Sequence, residues 1–88
     1  MSWSYDATKT EVGLHWVRLR IGDTDTNDPQ LSDEEILSLL AQSDRVTAAY
    51  QAALLLSAKY ARYGAQKEAT LYATLAEQIS REMGVEYL

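Results

Sequence analysis

The sequence predicts an all-α fold, a small bundle of about four helices with a long helical hairpin in its C-terminal half. Apolar residues recur at steps of three and four through the second half of the chain, which is the pattern of helices with one buried face. A capping motif near residue 32 opens a further helix. Only one proline interrupts the 88 residues, which we expect to form a single helical domain, residues 1–88, with a thin core.

The C-terminal half contains the two clearest helices. The first has Asp44 or Ser43 as its N-cap and Gly64 as its stop, and its repeating positions are Val46, Ala49, Tyr50, Ala53, Leu56, Ser57 and Tyr60. The second repeats the spacing at Tyr72, Leu75, Ala76, Ile79 and Met83, and Gly84 is expected to close it. The short turn between them favours an antiparallel hairpin, and the many alanines of the first helix allow close packing.

A shorter helix is predicted after residue 31. Ser32 and Glu35 have the spacing of a capping box, and Leu31 and Ile36 have the spacing of a hydrophobic staple. The acids that follow Ser32 suit the positive end of the helix dipole. The buried side of this helix is expected to carry Leu37, Leu39 and Leu40.

The first third of the chain allows two interpretations. Residues 17–21 alternate like a strand, but Val12, Trp16 and Leu19 fit helical spacing. We favour a helix from about Thr8 to Ile21, because no partner strand is evident elsewhere and Gly22 stands where a helix C′ residue would. Residues 22–31 then form the one long loop.

The acidic stretch from residue 22 to residue 35 resembles the start of a calcium-binding loop. Its ligand types stand at positions 1, 3, 5 and 12 of such a loop, as Asp23, Asp25, Asn27 and Glu34. Position 6 requires a glycine for a sharp turn, but it is Asp28, and Pro29 pushes that residue toward extended conformations. We therefore interpret the acids as loop and cap residues and predict no metal site.

No pattern of residues indicates catalysis. His15 is the only histidine, there is no cysteine, and the four glycines never form a phosphate-binding cluster. The net charge of −5 comes largely from six acids in the acidic stretch, and the scattered lysines and arginines form no basic patch for nucleic acid. We predict a protein that is not an enzyme, needs no cofactor and does not bind DNA tightly.

The terminal segments are expected to lie at interfaces. Aromatic residues near the ends of a small chain need a surface to pack against, and here they are Trp3, Tyr5 and Tyr87. The segments concerned are residues 1–7 and 84–88. The longest strictly apolar run, Ala52 to Leu56, is far too short to cross a membrane, and the start MSWSYDATK lacks the features of a signal peptide. We expect a soluble intracellular protein.

Two short motifs carry a resemblance to a known family. The chain has Ser4-Tyr5-Asp6, then VRLRIGDTD from residue 17, then LSDEEI from residue 31 and an alanine-rich helix. In this order the motifs resemble the small head-tail connector, or adaptor, proteins of tailed bacteriophages, over roughly residues 4–60. The segment from Gly64 onward matches more loosely.

The resemblance implies an all-helical neck protein of the virion, assembled in the host cytoplasm. Such a protein forms a ring with copies of itself, typically dodecameric, under the portal protein. It extends the DNA channel, through which DNA passes as non-specific cargo, and it contacts a stopper or tail-completion protein. No membrane partner is implied.

The expected interface residues follow from the resemblance and from the distribution of charge. The C-terminal segment of such proteins reaches the portal, which implicates Val85, Tyr87 and Leu88. Part of the acidic stretch, at Asp23 and Asp25, is expected to face the channel or a neighbour's arginine, Arg18 or Arg20. The alternative is a small regulatory helical protein that binds a phage or host protein as a monomer or dimer.

Overall fold

The chain folds into four helices, so the predicted all-α bundle is confirmed. The computed structural model describes the backbone of residues 2–85 and the side chains of residues 2–83. Within this part of the chain there is no strand, and the helices are α1 (Gly13–Ile21), α2 (Asp33–Gln42), α3 (Arg45–Arg62) and α4 (Gln66–Val85). None of them, within that same range, has the combination of length and apolar character that a membrane crossing needs.

Helices α3 and α4 form the predicted hairpin. Gly64 adopts a left-handed conformation with φ of 77°, which reverses the chain after the last turn of α3. The Ser57 hydroxyl donates to the carbonyl of Ala69 at 2.8 Å, and the rings of Tyr60 and Tyr72 stack with centroids 5.6 Å apart. Small side chains hold the two helices close, because α3 buries Ala48, Ala49, Ala52 and Ala53 completely.

The N-terminal helices pack on α3 and complete one core. Helix α1 contributes Val17 and Ile21, and α2 contributes Ile36, which is fully buried. Leu39 and Leu40 are partly buried against this cluster, as predicted. Leu37 was expected on the buried side and is instead 50% exposed, because its position on α2 turns away from α3.

Side-chain caps open two of the helices as the sequence predicts. Ser32 accepts from the backbone N–H of Glu35 at 3.1 Å, and Glu35 accepts in return from the N–H of Ser32 at 2.9 Å, which confirms the capping box. At the start of α3 the N-cap is Asp44, whose carboxylate accepts from the N–H of Thr47 at 2.7 Å.

Helix α1 begins later than predicted. The expected start at Thr8 is wrong, because the carboxylate of Asp6 accepts hydrogen bonds from the N–H and the hydroxyl of Thr8 and closes a turn there. A second turn follows, in which the N–H of Val12 donates to the carbonyl of Lys9 at 3.0 Å. The helix therefore starts at Gly13, and it ends as predicted at Gly22, which is left-handed with φ of 75°.

The end of α4 also differs from the prediction. Gly84 was expected to close this helix, but the backbone continues helical through Gly84 to Val85. A glycine inside a helix costs only about 1 kcal/mol relative to alanine, so Gly84 alone does not end the helix. The predicted contact residues Tyr87 and Leu88 lie outside the described residues.

Candidate functional site

A buried arginine is the centre of the most organised polar cluster in the molecule. Arg18 lies on the same side of α1 as Val17 and Ile21 and is 0% exposed. A guanidinium taken out of water carries a large desolvation penalty unless each of its edges meets an acceptor. The surrounding chain supplies those acceptors from three separate segments.

The guanidinium of Arg18 makes four hydrogen bonds. Its Nη1 donates to Asp23 Oδ2 at 2.5 Å and to the carbonyl of Leu31 at 2.9 Å. Its Nη2 donates to Asp33 Oδ1 at 2.6 Å, and its Nε donates to the carbonyl of Ser4 at 2.6 Å. We call Ser4, Arg18, Asp23, Leu31 and Asp33 the arginine node. It ties the N-terminal segment, the loop after α1 and the first turn of α2 to one side chain.

Asp23 is buried with its partner and is also saturated with donors. It is 1% exposed. Its Oδ1 accepts from Trp3 Nε1 and from the N–H of Gln30, both at 3.0 Å, while Oδ2 accepts from the N–H of Leu31 at 3.1 Å in addition to Arg18. The left-handed Gly22 allows this geometry, because the chain reverses there and the N–H of Asp23 returns to the carbonyl of Arg18 at 2.9 Å.

The N-terminal segment is fastened along the start of α2. The backbone N–H and hydroxyl of Ser2 both donate to the carboxylate of Glu34, at 2.9 and 2.5 Å. Ser4 repeats the arrangement with Asp33 at 2.9 and 2.8 Å, and the N–H of Asp33 returns to the carbonyl of Ser2 at 2.8 Å. Two acids of the first helical turn therefore each hold one serine, so the segment has a fixed register on α2.

These hydrogen bonds keep both acids ionised. Burial of Asp33 opposes its ionisation, but the hydrogen bonds from Arg18 and Ser4 outweigh burial and hold the pKa of Asp33 below its usual value. For Glu34, the hydrogen bonds from the hydroxyl and N–H of Ser2 lower the pKa of the carboxyl. The attachment of the segment is therefore strongest when these carboxylates are charged.

Aromatic contacts complete the attachment. The guanidinium of Arg18 lies over the ring of Trp3, 4.7 Å from its centroid. Tyr5 meets the ring of His15 edge to face with centroids 6.1 Å apart, and the N–H of Asp6 donates to His15 Nδ1 at 3.1 Å. The imidazole of His15 therefore acts as an acceptor within the fold.

The expected site residues divide into a buried group and a surface group. Arg18 and Asp23 are buried, with the half-buried Trp3 beside them. The expected pairing of Asp23 with a neighbour's Arg18 is corrected, because Arg18 pairs with Asp23 of its own chain. At the surface, Arg20 forms an ion pair with Glu82 of α4. Asp25 is exposed in the loop, where its carboxylate accepts from the N–H of Asn27 at 2.9 Å.

Sequence reasoning missed the other members of the node. The sequence indicates Asp33 only as a dipole partner of α2 and Leu31 only as part of a hydrophobic staple, and it indicates Ser4 only as part of a family motif. A usable signal was present, since Arg18 falls at helical spacing among Leu14, Val17 and Ile21, and an arginine on an apolar face requires buried acids.

The arrangement holds chain segments together. Among the described side chains, every buried nitrogen or oxygen atom has a hydrogen-bond partner. The same residues contain no group of three or more histidine, cysteine, aspartate or glutamate side chains placed to hold a metal ion. The carboxylates of the node are consumed by neutralising and orienting Arg18, which is a structural role.

A cavity of about 430 Å³ opens beside the node. It lies between the N-terminal segment, the loop and the end of α3, and its walls include Trp3, Pro29, Lys59 and Tyr63. Tyr63 is 72% exposed. The cavity therefore presents aromatic surface together with one charge of each sign, Lys59 and Glu35.

No protein-family model matches the chain, and comparison with curated proteins and solved structures finds no significant match.

Proposed function

We propose that the chain is a structural head-tail connector subunit, a neck adaptor, of a tailed bacteriophage. In this role it forms a ring under the portal protein, extends the DNA channel and links the capsid to a stopper or tail-completion protein. The proposal rests on the resemblance carried by VRLRIGDTD and LSDEEI, and on what those residues do in the fold.

One observation carries the proposal. The resembling motifs are separated along the chain, yet Arg18 and Asp23 of the first, Leu31 and Asp33 of the second, and Ser4 near the N-terminus meet in the arginine node. A motif whose charged residues are all used for internal hydrogen bonds specifies a scaffold rather than a reaction. This favours a subunit whose function is to hold its shape and present surfaces.

The surface charge suits a conduit for DNA. Exposed acids occupy the loop and the first turn of α2, at Asp25, Asp28 and Glu34, while the basic residues are dispersed. Tight binding to a phosphate backbone requires clustered lysine and arginine, which release counterions from DNA. A channel wall with dispersed basic charge lets DNA pass without holding it.

The test is the native mass of the protein with the portal protein of the phage that encodes it. We expect a stoichiometric complex in which the copies form a closed ring, measured by native mass spectrometry and by electron microscopy. A chain that ignores the portal and instead binds another phage or host protein as a monomer or dimer would overturn the proposal in favour of a regulatory role.

The portal contact is assigned to the C-terminal segment and tested by substitution. Tyr87→Ser with Leu88→Ser is expected to weaken portal binding at least tenfold while leaving the thermal unfolding midpoint unchanged. The matched control is Tyr63→Ser, which removes an aromatic ring that is 72% exposed at the other end of α4. Equal portal affinity for wild type and the tail variant would show that the contact lies elsewhere.

A further inference from the structure

Helix α3 has an outer face without charge. Between Arg45 and Lys59 the helix contains no charged residue. The side opposite its buried alanines includes Leu54 and Leu55, which are 42% and 48% exposed. We define the α3 outer face as Thr47, Gln51, Leu54, Leu55, Ala58 and Ala61. A helix at the surface of a monomer normally places charged residues on this side, so the face has the composition of a contact surface.

The partner helix of the hairpin is more highly charged. The outer side of α4 carries exposed charges toward both of its ends, at Lys67, Glu68, Glu77, Arg81 and Glu82, and its uncharged stretch, residues 69–76, is shorter than the uncharged stretch of α3, residues 46–58. Arg81 and Glu77 also form an exposed ion pair one turn apart at 3.0 Å. The two helices pack against each other and are 18 and 20 residues long, so the longer uncharged stretch is a property of α3 and not of the whole hairpin.

The outer face has a spacing that suits helix-helix pairing. Its central positions are separated alternately by four and three residues, which is the spacing of contact positions along two packed helices. We call this line of positions the seam; it consists of Thr47, Gln51, Leu54, Ala58 and Ala61. Reversing the chain direction about Leu54 superimposes the series on itself to within one residue. Helix α2 borders the seam, where Leu39 and Gln42 form the wall of an open groove of about 370 Å³ floored by Leu54 and Leu55.

We propose that this face binds the same face of a second copy of the chain, with the two α3 helices antiparallel about a two-fold axis at Leu54. In this register Leu54 meets Leu54 of the second copy, Gln51 meets Ala58, and Thr47 meets Ala61. In the two flanking pairs the longer side chain faces alanine, which allows the helices to pack closely. A two-fold contact uses one self-complementary surface twice, and a series that matches its own reverse to within one residue suits such a contact.

The charges at the two ends of the seam favour a second copy whose α3 runs antiparallel to the first. Asp44 at the start of α3 and Arg62 at its end are exposed and lie along the same edge of the helix as Gln51. Antiparallel pairing places Asp44 of each copy beside Arg62 of the other, so two attractive pairs form. Arg45 and Lys59 point away from the seam, since Arg45 stacks on Trp16 and Lys59 lies near the carbonyl of Gln30.

This pairing goes beyond the proposed function, because it follows from the chemistry of α3 whatever the role of the chain. It also differs from the contacts of a ring. A ring of more than two copies requires two different surfaces on each subunit, whereas the two-fold contact joins like surfaces and closes with two chains.

The first experiment measures the mass of the purified protein without any partner. Light scattering after size exclusion, over a range of micromolar concentrations, is expected to give twice the chain mass of 9.9 kDa. Leu54→Asp places two carboxylates against each other at the axis and is expected to return the mass to one chain. The control Leu71→Asp makes the same change on α4, where the side chain is 60% exposed, and is expected to keep the pair.

The second experiment tests the register. The chain has no cysteine, so Leu54→Cys introduces the only thiol, and oxidation is expected to link two copies through it. Leu71→Cys is the control and should remain largely unlinked. Circular dichroism of each variant checks that the helices are retained, as expected for changes on exposed faces.

The outcomes separate this inference from the proposed function. A single-chain mass at every concentration, a pair that survives Leu54→Asp, or a Leu54→Cys variant that does not cross-link would each overturn the two-fold contact. A larger closed ring from the protein alone would also overturn it while supporting the connector proposal. Failure to bind the portal would count against the connector proposal and leave the pair unaffected.

Discussion

At the scale of single residues, Arg18 and Arg20 show how burial decides the value of an ion pair. Both lie in α1 and both pair with acids of the same chain, Arg18 with Asp23 and Asp33, and Arg20 with Glu82. Arg18 and Asp23 are fully buried, whereas the side chains of Arg20 and Glu82 are 28% and 50% exposed. When Arg20 loses its partner Glu82, water can solvate the exposed guanidinium. When Asp23 loses its partner Arg18, water cannot solvate the buried carboxylate.

Arg18→Met and Arg20→Met should therefore differ in their effect on stability. Arg18→Met leaves the buried carboxylate of Asp23 without its cation, and we expect a loss of about 3–5 kcal/mol in the free energy of unfolding. Arg20→Met removes an exposed pair and should cost about 0–1 kcal/mol. Urea denaturation of the two variants checks this prediction. Equal losses would mean that the node is not closed to water.

Asp33 makes the stability of the fold sensitive to acid. Its pKa is lower in the folded protein than in the unfolded chain, so on acidification the unfolded state binds the proton first. The stabilisation from Asp33 is complete above the unfolded pKa of about 4 and is lost as the pH falls through the folded pKa. We expect the free energy of unfolding to fall steadily below about pH 5.

The contribution of Asp33 to this dependence can be measured by substitution. In Asp33→Asn the slope of the unfolding free energy between about pH 5 and pH 3 should be smaller than in wild type, because one proton-linked group is gone. Part of the slope should remain, since Ser2 also lowers the pKa of Glu34. Asp28→Asn, in the exposed loop, controls for the change in net charge. An unchanged slope in Asp33→Asn would contradict the prediction.

At the scale of the elements, local signals located the helix ends wherever a side chain caps them. The capping box of α2, the Asp44 cap of α3 and the left-handed Gly22 and Gly64 are all visible in the sequence, because each depends on residues a few positions apart. The start of α1 could not be predicted in this way. Its N-cap is Val12, whose side chain makes no capping hydrogen bond, and the turn at Asp6 competes with helix.

The capping box of α2 predicts a specific loss of stability. Ser32→Ala removes the acceptor for the N–H of Glu35 and should cost about 0.5–2 kcal/mol. Ser38→Ala is the matched control, because Ser38 is exposed in the interior of the same helix, where alanine is a better helix former. Thermal unfolding of both variants checks the prediction. A loss as large for Ser38→Ala as for Ser32→Ala would show that the cap has no specific role.

At the scale of the whole molecule, the sequence predicted the bundle and the hairpin but not how the N-terminal segment joins them. Periodicity identifies helices with a buried face, and α3 and α4 are long enough for that pattern to be clear. The segment from Ser2 to Asp6 has no periodicity. It is held by hydrogen bonds to Arg18, Asp33 and Glu34, contacts between residues at least 14 positions apart that no local pattern reveals.

The shared core predicts that the two halves of the molecule unfold together. In Trp16→Phe the remaining tryptophan is Trp3, whose fluorescence reports on Arg18, while far-ultraviolet circular dichroism is dominated by the 18 and 20 residues of α3 and α4. Because α1 and α2 pack on α3, the two signals should change at the same urea concentration. A fluorescence change at lower urea would mean that the node opens before the hairpin unfolds.

The position of the arginine node along the chain has a consequence for synthesis on the ribosome. Every hydrogen-bond partner of Arg18 lies between Ser4 and Asp33, but the helices that carry Arg18 and Asp33 pack against α3, which is translated later. In a nascent chain that stops before Arg45, water competes for each of these hydrogen bonds. We expect the N-terminal half to stay open to proteases until α3 has left the exit tunnel, so that translation of this helix determines when the chain can fold.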